Sequence, residues 1–351
     1  MTVTTQPADR GPAPEGEAGR RLIDHVFKAR EVAVVGVLVV MLAVTQLTNT
    51  EFLSEQGVKD LLLNATILVL VATGQAVVVI TRNVDLSVGS VLGISAFAAG
   101  DYLQSGGSPL VAVLYAVAVG AVFGVLNGAL VSLGKVPALV VTLGTLYVVR
   151  GIDSIWVGSH QIVAADLPAT FVDFGHDGLW IVPYLALLAL AVLLCVGFYL
   201  RHYRTGRDLY ALGSSPEAAV LAGIRVRKRV MTAYVLCGAL AGLAGALYLA
   251  RFGNVDSATG SGYELTVVSA VVVGGVAFTG GSGTVYGAAL GALLLTSINS
   301  VLPAIGVSSV WVTAINGILL LLAIAVDRIL ALRVAAVLRK QAARMRSARH
   351  A

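Results

Sequence analysis

The chain has 351 residues, of which 57% are hydrophobic and only 12% charged, with a net charge of +5. Soluble domains carry about 25% charged residues, so the polar surface that a soluble protein of this length requires is not available. Thirty-nine glycines suit closely packed membrane helices, and repeated apolar runs of about 20 residues can cross a hydrocarbon core of roughly 30 Å. The composition is that of an all-α polytopic membrane protein.

Residues 1–31 read as a disordered N-terminal tail, because the first 20 are rich in Pro, Gly, Glu and Ala and hold no apolar stretch. The apolar run that starts near Val32 is not followed by a small-residue cleavage pattern, so no cleavable signal is expected. Hydropathy predicts ten spans: 32–48, 61–80, 87–103, 109–132, 136–152, 179–200, 231–250, 265–279, 284–303 and 309–326. Together they form a transmembrane domain over 32–326, followed by a basic tail at 327–351.

Charge sets an orientation. Of the 24 Lys and Arg residues, five lie in 1–31, seven in the polar loop 201–230 and seven after Ala325. Basic residues beside spans mark the cytoplasmic side, and an even number of spans puts both termini there. The segment between the fifth and sixth spans then lies outside, and it carries Asp153, Asp166, Asp173 and Asp177 without a Lys or Arg after Arg150. This distribution argues against nucleic acid and for a lipid bilayer as the environment.

Gly120, Gly124 and Gly128, Gly238 with Gly242, and Gly287 with Gly291 recur at four-residue spacing, which predicts close helix contacts. Trp156, Trp180 and Trp311 fall near span ends, as an aromatic belt would place them. Cys195 and Cys237 lie inside apolar runs and read as packing residues.

Two polar breaks interrupt the apolar sequence. In TRNVDLSVGS, Thr81 to Ser90, Arg82 and Asp85 occur where a mid-bilayer charge costs about 2.5–3.5 kcal/mol. Two readings stay open: a polar turn with a local Arg82–Asp85 pair, or a broken segment beside a translocation path with Asp85 and Ser87 capping the next helix. The Gly-rich break Gly274–Gly287 faintly echoes the first one, each following an AVVV run.

The loop 201–230 is the longest polar interruption, and its core is GSSPEAAVLAGI. Ser215 suits an N-cap, Pro216 the first helical position, Glu217 the positive end of the helix dipole, and Gly223 the stop. A two-turn helix over 213–224 with an Ala/Val/Leu face, set among arginines, suits docking into a groove on a cytosolic protein. No nucleotide-binding, metalloprotease or thiol-redox motif occurs, and His160, His176, Asp173 and Asp177 read as solvated loop groups rather than a metal site. No catalytic constellation is found, and Asp85 is the one candidate for an intramembrane relay carboxylate. The chain can thus form a pathway without an evident energy source, which points to a partner.

Five ordered stretches resemble the permease subunits of bacterial ABC importers for ribose and related monosaccharides, a group that includes xylose, rhamnose and autoinducer-2 systems. They are NVDLSVGS (83–90), VPALVVTLGTLYVVRGI (136–152), GRDLYALGSSPEAAVLAGI (206–224), SGYELTVVSAVVVGGVAFTGGSGTVYG (261–287) and SSVWVTAINGILLLLAIAVDR (308–328). At 82–84 the chain has Arg-Asn-Val where Gly-Gly-Ile is usual in that family. The resemblance implies a type II ABC importer permease in the bacterial inner membrane. It implies three partners: a second permease subunit, identical or not, a cytosolic ATP-binding subunit and an extracytoplasmic solute-binding protein. ATP and Mg²⁺ would be bound by the ATPase, so no cofactor is expected on this chain. Gly213, Ser214, Ser215, Pro216, Glu217, Ala218, Ala219, Gly223 and Ile224 would form the coupling helix. Asn83, Asp85, Ser87, Thr142 and Glu264 are candidates for the path or for its structure. The alternatives are an ion-coupled secondary transporter that uses Asp85, and a branched-chain amino-acid ABC permease.

Overall fold

The computed structural model describes residues 15–158 and 160–308, and within 311–332 the positions 311–312, 314–322, 324–325, 328–329 and 332, with side chains from residue 32 onward. The tail at 333–351 and the first 14 residues lie outside the described residues. The helices are α1 (Glu15–Thr48), α2 (Glu55–Ile80), α3 (Val88–Gln104), α4 (Pro109–Ser132), α5 (Ala138–Val157), α6 (Ala169–His176), α7 (Tyr184–His202), α8 (Arg204–Ser214), α9 (Pro216–Leu221), α10 (Val226–Phe252), α11 (Tyr263–Val273) and α12 (Val285–Ala304). A short antiparallel hairpin, Gly178–Leu179 with Val182–Pro183, precedes α7. Residues 314–322 are also helical, within the predicted last span.

Local signals set the ends of several helices. Ser54 Oγ accepts from Gly57 N ahead of α2, with Glu55 in its first turn, and Thr284 Oγ1 accepts from Gly287 N ahead of α12. Pro109 opens α4 at a position where its missing N–H costs nothing. α1 starts at Glu15, inside the stretch where composition pointed to disorder, since its Glu, Ala, Arg and Leu residues are strong helix formers despite their charge.

Six described helices are long and apolar enough to cross a membrane: α2, α4, α5, α7, α10 and α12. The apolar part of α1, Val32–Thr48, and α11 are shorter. The expected span at 265–279 ends early, at Val273, because Gly274 and Gly275 (φ 92°) turn the chain out of the helix.

Apolarity alone does not separate core from periphery; burial does. In α2, 94% of the most apolar window is buried, against 22% in α4 and 28% in α5. α2 is therefore the central post, apolar on every side, while the outer faces of α4 and α5 present Leu114, Val122, Val140 and Tyr147 outward. α10 lies against α2, α3 and, most extensively, α4, and α12 packs on α2 and α11. The glycines make these approaches possible. A Cβ on Gly120 would strike Gly238 O, one on Gly242 would strike Ala116 O, and one on Gly291 would strike Ala270 O. Without a hydrophobic drive between helices in lipid, such close backbone contact is what holds them.

Candidate functional site: a broken-helix core and its docking segment

α2 ends at Ile80, and the chain runs through Thr81–Ser87 before α3 starts at Val88. Irregular backbone buried between apolar helices must satisfy its polar groups within the protein. Asp85 is buried, 2% exposed, and its Oδ1 accepts from Ser87 N (2.9 Å) and Ser87 Oγ (2.6 Å). Asn127 of α4 donates from Nδ2 to Ser87 Oγ at 2.8 Å and stands 3.5 Å from both Asp85 oxygens, while Thr145 Oγ1 of α5 donates to Asn127 Oδ1 at 2.6 Å. The Val84 carbonyl accepts from Tyr234 OH of α10 at 3.2 Å and from Thr142 Oγ1 of α5 at 3.4 Å. With its amide oriented to satisfy both partners, Gln75 of α2 bridges Asp85 N and Asp85 O, each at 3.2 Å.

Gln75, Ser87, Asn127, Thr142 and Tyr234 are fully buried. Four helices, α2, α4, α5 and α10, thus converge on one irregular turn through hydrogen bonds in a setting where an unmade bond is costly. Asn127 lies five residues from the end of α4 and Thr145 seven from the start of α5, so the network sits roughly 8–10 Å along those helices from their shared turn.

The second break, 274–284, meets the first. Arg82, at φ 64°, donates from Nε to Thr279 O at 2.8 Å, and Gly281 N donates to Ile80 O at 2.9 Å. The end of α8 presses on both. A Cβ on Gly213 would strike Ile80 O and Gly281 N, and Tyr210 OH donates to Gly283 O at 3.1 Å. Burial, with Tyr286 nearby, pushes the Tyr210 phenol up to about 12, so it remains a donor at neutral pH. α8 is held to α10 by Asp208 Oδ2, which accepts from Arg229 Nε (2.9 Å) and Nη2 (2.8 Å).

α9 follows after a single extended residue. Ser215 (φ −156°, ψ 102°) caps it, Oγ accepting from Ala218 N at 3.3 Å. At its other end Ile224 N donates to Ala219 O and Gly223 N to Val220 O, with Gly223 at φ 75°, the left-handed stop that favours glycine. Ala219 is buried at 3% exposure, whereas Val220 and Leu221 stand out at 61% and 89%.

The family model described as "Branched-chain amino acid transport system / permease component" matches residues 57–324. The chain belongs to this permease family. It is 36% identical over 302 residues to the autoinducer 2 import system permease protein LsrC of Enterobacter sp. (strain 638), covering 86% of this chain and 88% of that protein. It is 33% identical over 315 residues to the ribose import permease protein RbsC of Escherichia coli (strain K12), covering 88% and 97%. No solved structure matches it significantly. The permease is a transmembrane subunit of an ABC importer, as its ordered motifs implied.

In this permease Asp85, Ser87 and Thr142 come together in the buried network. Asn83 stays in the turn, its Nδ2 donating to Thr81 O and Thr81 Oγ1, each at 3.0 Å. Glu264, at the start of α11, lies apart from them, close to Gly89. Three expectations are corrected. Arg82 does not pair with Asp85: it is exposed and bonded to Thr279, while Asp85 is held by Ser87. Ser87 occupies the N-cap of α3 without a side-chain cap bond, because its hydroxyl is directed to Asp85. The helix expected over 213–224 is divided, Gly213 and Ser214 closing α8 and α9 starting at Pro216, since Ser215 must be extended to cap. Gln75, Asn127, Thr145 and Tyr234 were not singled out in the sequence. Each is a polar group in an apolar helix, which in a membrane calls for a named partner.

Proposed function

We propose that the permease forms the path for a monosaccharide or similar small polar solute, delivered from outside by a solute-binding protein and driven by a cytosolic ATP-binding subunit that docks on α9. The observation that carries this reading is the double role of the α8–α9 segment. Its buried side, Gly213 and Tyr210, lies against both helix breaks, while Val220 and Leu221 stand exposed a few residues before the basic stretch Arg225, Arg227 and Lys228. An exposed apolar tip on a rigidly capped helix suits a groove on another protein, and a push on it would be felt at both breaks.

The relatives' printed substrates, ribose and autoinducer 2, support a sugar-like solute. ATP and Mg²⁺ belong to the ATPase partner, and two permease subunits enclose the path. The membrane domain covers 32–326 in ten spans of the bacterial inner membrane, with both tails and the 201–230 loop on the cytoplasmic side. An ion-coupled transporter is less well supported, since the Asp85 carboxylate is already engaged by Ser87 and Asn127.

The test is uptake into proteoliposomes holding the permease with its ATP-binding subunit, given a panel of sugars and branched-chain amino acids on their binding proteins. ATP-dependent sugar uptake that survives an ionophore is expected. Uptake without the ATP-binding subunit, or uptake that collapses with the ion gradient at constant ATP, would refute the proposal.

A further inference from the structure

A cavity of about 510 Å³ opens between the first break, the α4–α5 turn, and the start of α9 and of α10. Three of its lining residues are cations from separate segments, Arg82, Lys135 and Arg227, and none is an acid. Among the described residues none of the three takes part in an ion pair. All three are exposed, so their mutual repulsion is screened by solvent, but together they make the rim of this space a place where an anion is favoured. Arg82 and Lys135 moreover adopt φ 64° and 56°, a conformation that favours glycine, so at two lining positions a cationic residue stands where a glycine would relax the backbone. Ser132 Oγ, also in the lining, is buried and has no hydrogen-bond partner among the described residues, leaving a hydroxyl donor without an acceptor.

Cations with a hydroxyl donor and no carboxylate match a phosphate group. The surroundings decide which phosphate. Leu133 (58%) and Leu139 (49%) are exposed on either side of the α4–α5 turn, and beyond them the outward apolar faces of α4 and α5 begin. A molecule whose phosphate enters the cavity would thus have an apolar surface alongside for its acyl chains. We propose that this cavity binds the phosphate of an anionic phospholipid from the leaflet on the α8–α9 side. The lipid would bridge the α4–α5 turn to the docking segment and steady the face on which a partner acts. The proposal goes beyond the transport reading and needs neither ATP nor a partner, so its failure would leave that reading intact.

The experiment is native mass spectrometry of the full-length permease in detergent, titrated with phosphatidylglycerol, phosphatidylcholine or soluble glycerol 3-phosphate. Phosphatidylglycerol should bind at least tenfold more tightly than phosphatidylcholine. The Lys135→Gln/Arg227→Gln double variant should lose about 30-fold of that affinity, the effect of two cations at an anionic surface. The charge-preserving Lys135→Arg/Arg227→Lys variant should stay within about threefold of wild type, separating charge loss from misfolding. An unchanged lipid preference in the double variant would overturn the proposal. So would glycerol 3-phosphate displacing the lipid at equal concentration, which would assign the cavity to a soluble phosphate. Equal occupancy by both lipids, or exclusion of lipid when the ATP-binding subunit is bound, would also overturn it.

Discussion

Asn127→Ala is the sharpest perturbation of the buried network, because one amide serves two chains of hydrogen bonds. Its loss removes the 2.8 Å bond to Ser87 Oγ and the 2.6 Å acceptor for Thr145 Oγ1, and leaves Asp85 Oδ2 without its Asn127 contact at 3.5 Å. Orphaning a buried polar group costs about 1–3 kcal/mol, with more when a carboxylate is involved. One stranded hydroxyl and a weakened carboxylate site therefore give a loss of about 3 kcal/mol. At about 2–4 °C per kcal/mol, Tm of the detergent-purified permease should fall by about 6–12 °C. Leu126→Ala, at a 44% exposed neighbouring position, is the control and should move Tm by about 1 °C or less. Asn127→Asp, equal in size, should be at least as damaging as Asn127→Ala, since it sets a second carboxylate beside Asp85. An Asn127→Ala Tm within about 2 °C of wild type would refute the claim that these bonds hold the break in place.

Gly213→Val puts a side chain against Ile80 O and Gly281 N, so α8 must lift from both breaks. Substrate-stimulated ATP hydrolysis by the reconstituted complex should fall at least tenfold while membrane insertion persists. Gly238→Val drives a side chain into Gly120 O and should cost about 1–3 kcal/mol as overpacking, read as a lower Tm. Ser215→Ala removes the α9 cap at a cost of about 1 kcal/mol, seen as faster amide exchange over 216–224 with little change elsewhere.

Much of this architecture was legible in the sequence where one physical rule dominates. Apolar length placed α4 at 109–132 to the residue, and the four-residue glycine spacing marked the α4–α10 and α11–α12 contacts. The α9 cap and stop followed from Ser215, Pro216 and Gly223, because turn chemistry is local. What could not be read is long-range. Hydropathy scores α2 and α4 alike, and only packing reveals that α2 is the post and α4 the wall. The partner of Arg82 is Thr279, 197 residues away, so the choice between a local Arg82–Asp85 pair and a broken segment could not be made from their nearness in sequence. Asn127 and Thr145 carry no spacing signal. The signal available was the cost of a lone amide in an apolar helix, which implies a partner without naming it.

The central claim is that α9 is the contact through which a cytosolic ATPase acts on the two breaks. Val220 and Leu221 are exposed, so Val220→Glu/Leu221→Glu should leave the permease fold intact and affect a docked partner alone. The decisive measurement is co-purification of the ATP-binding subunit with this double variant, alongside its Tm in detergent. The account predicts loss of the complex with Tm unchanged; a complex retained at wild-type stoichiometry would contradict it.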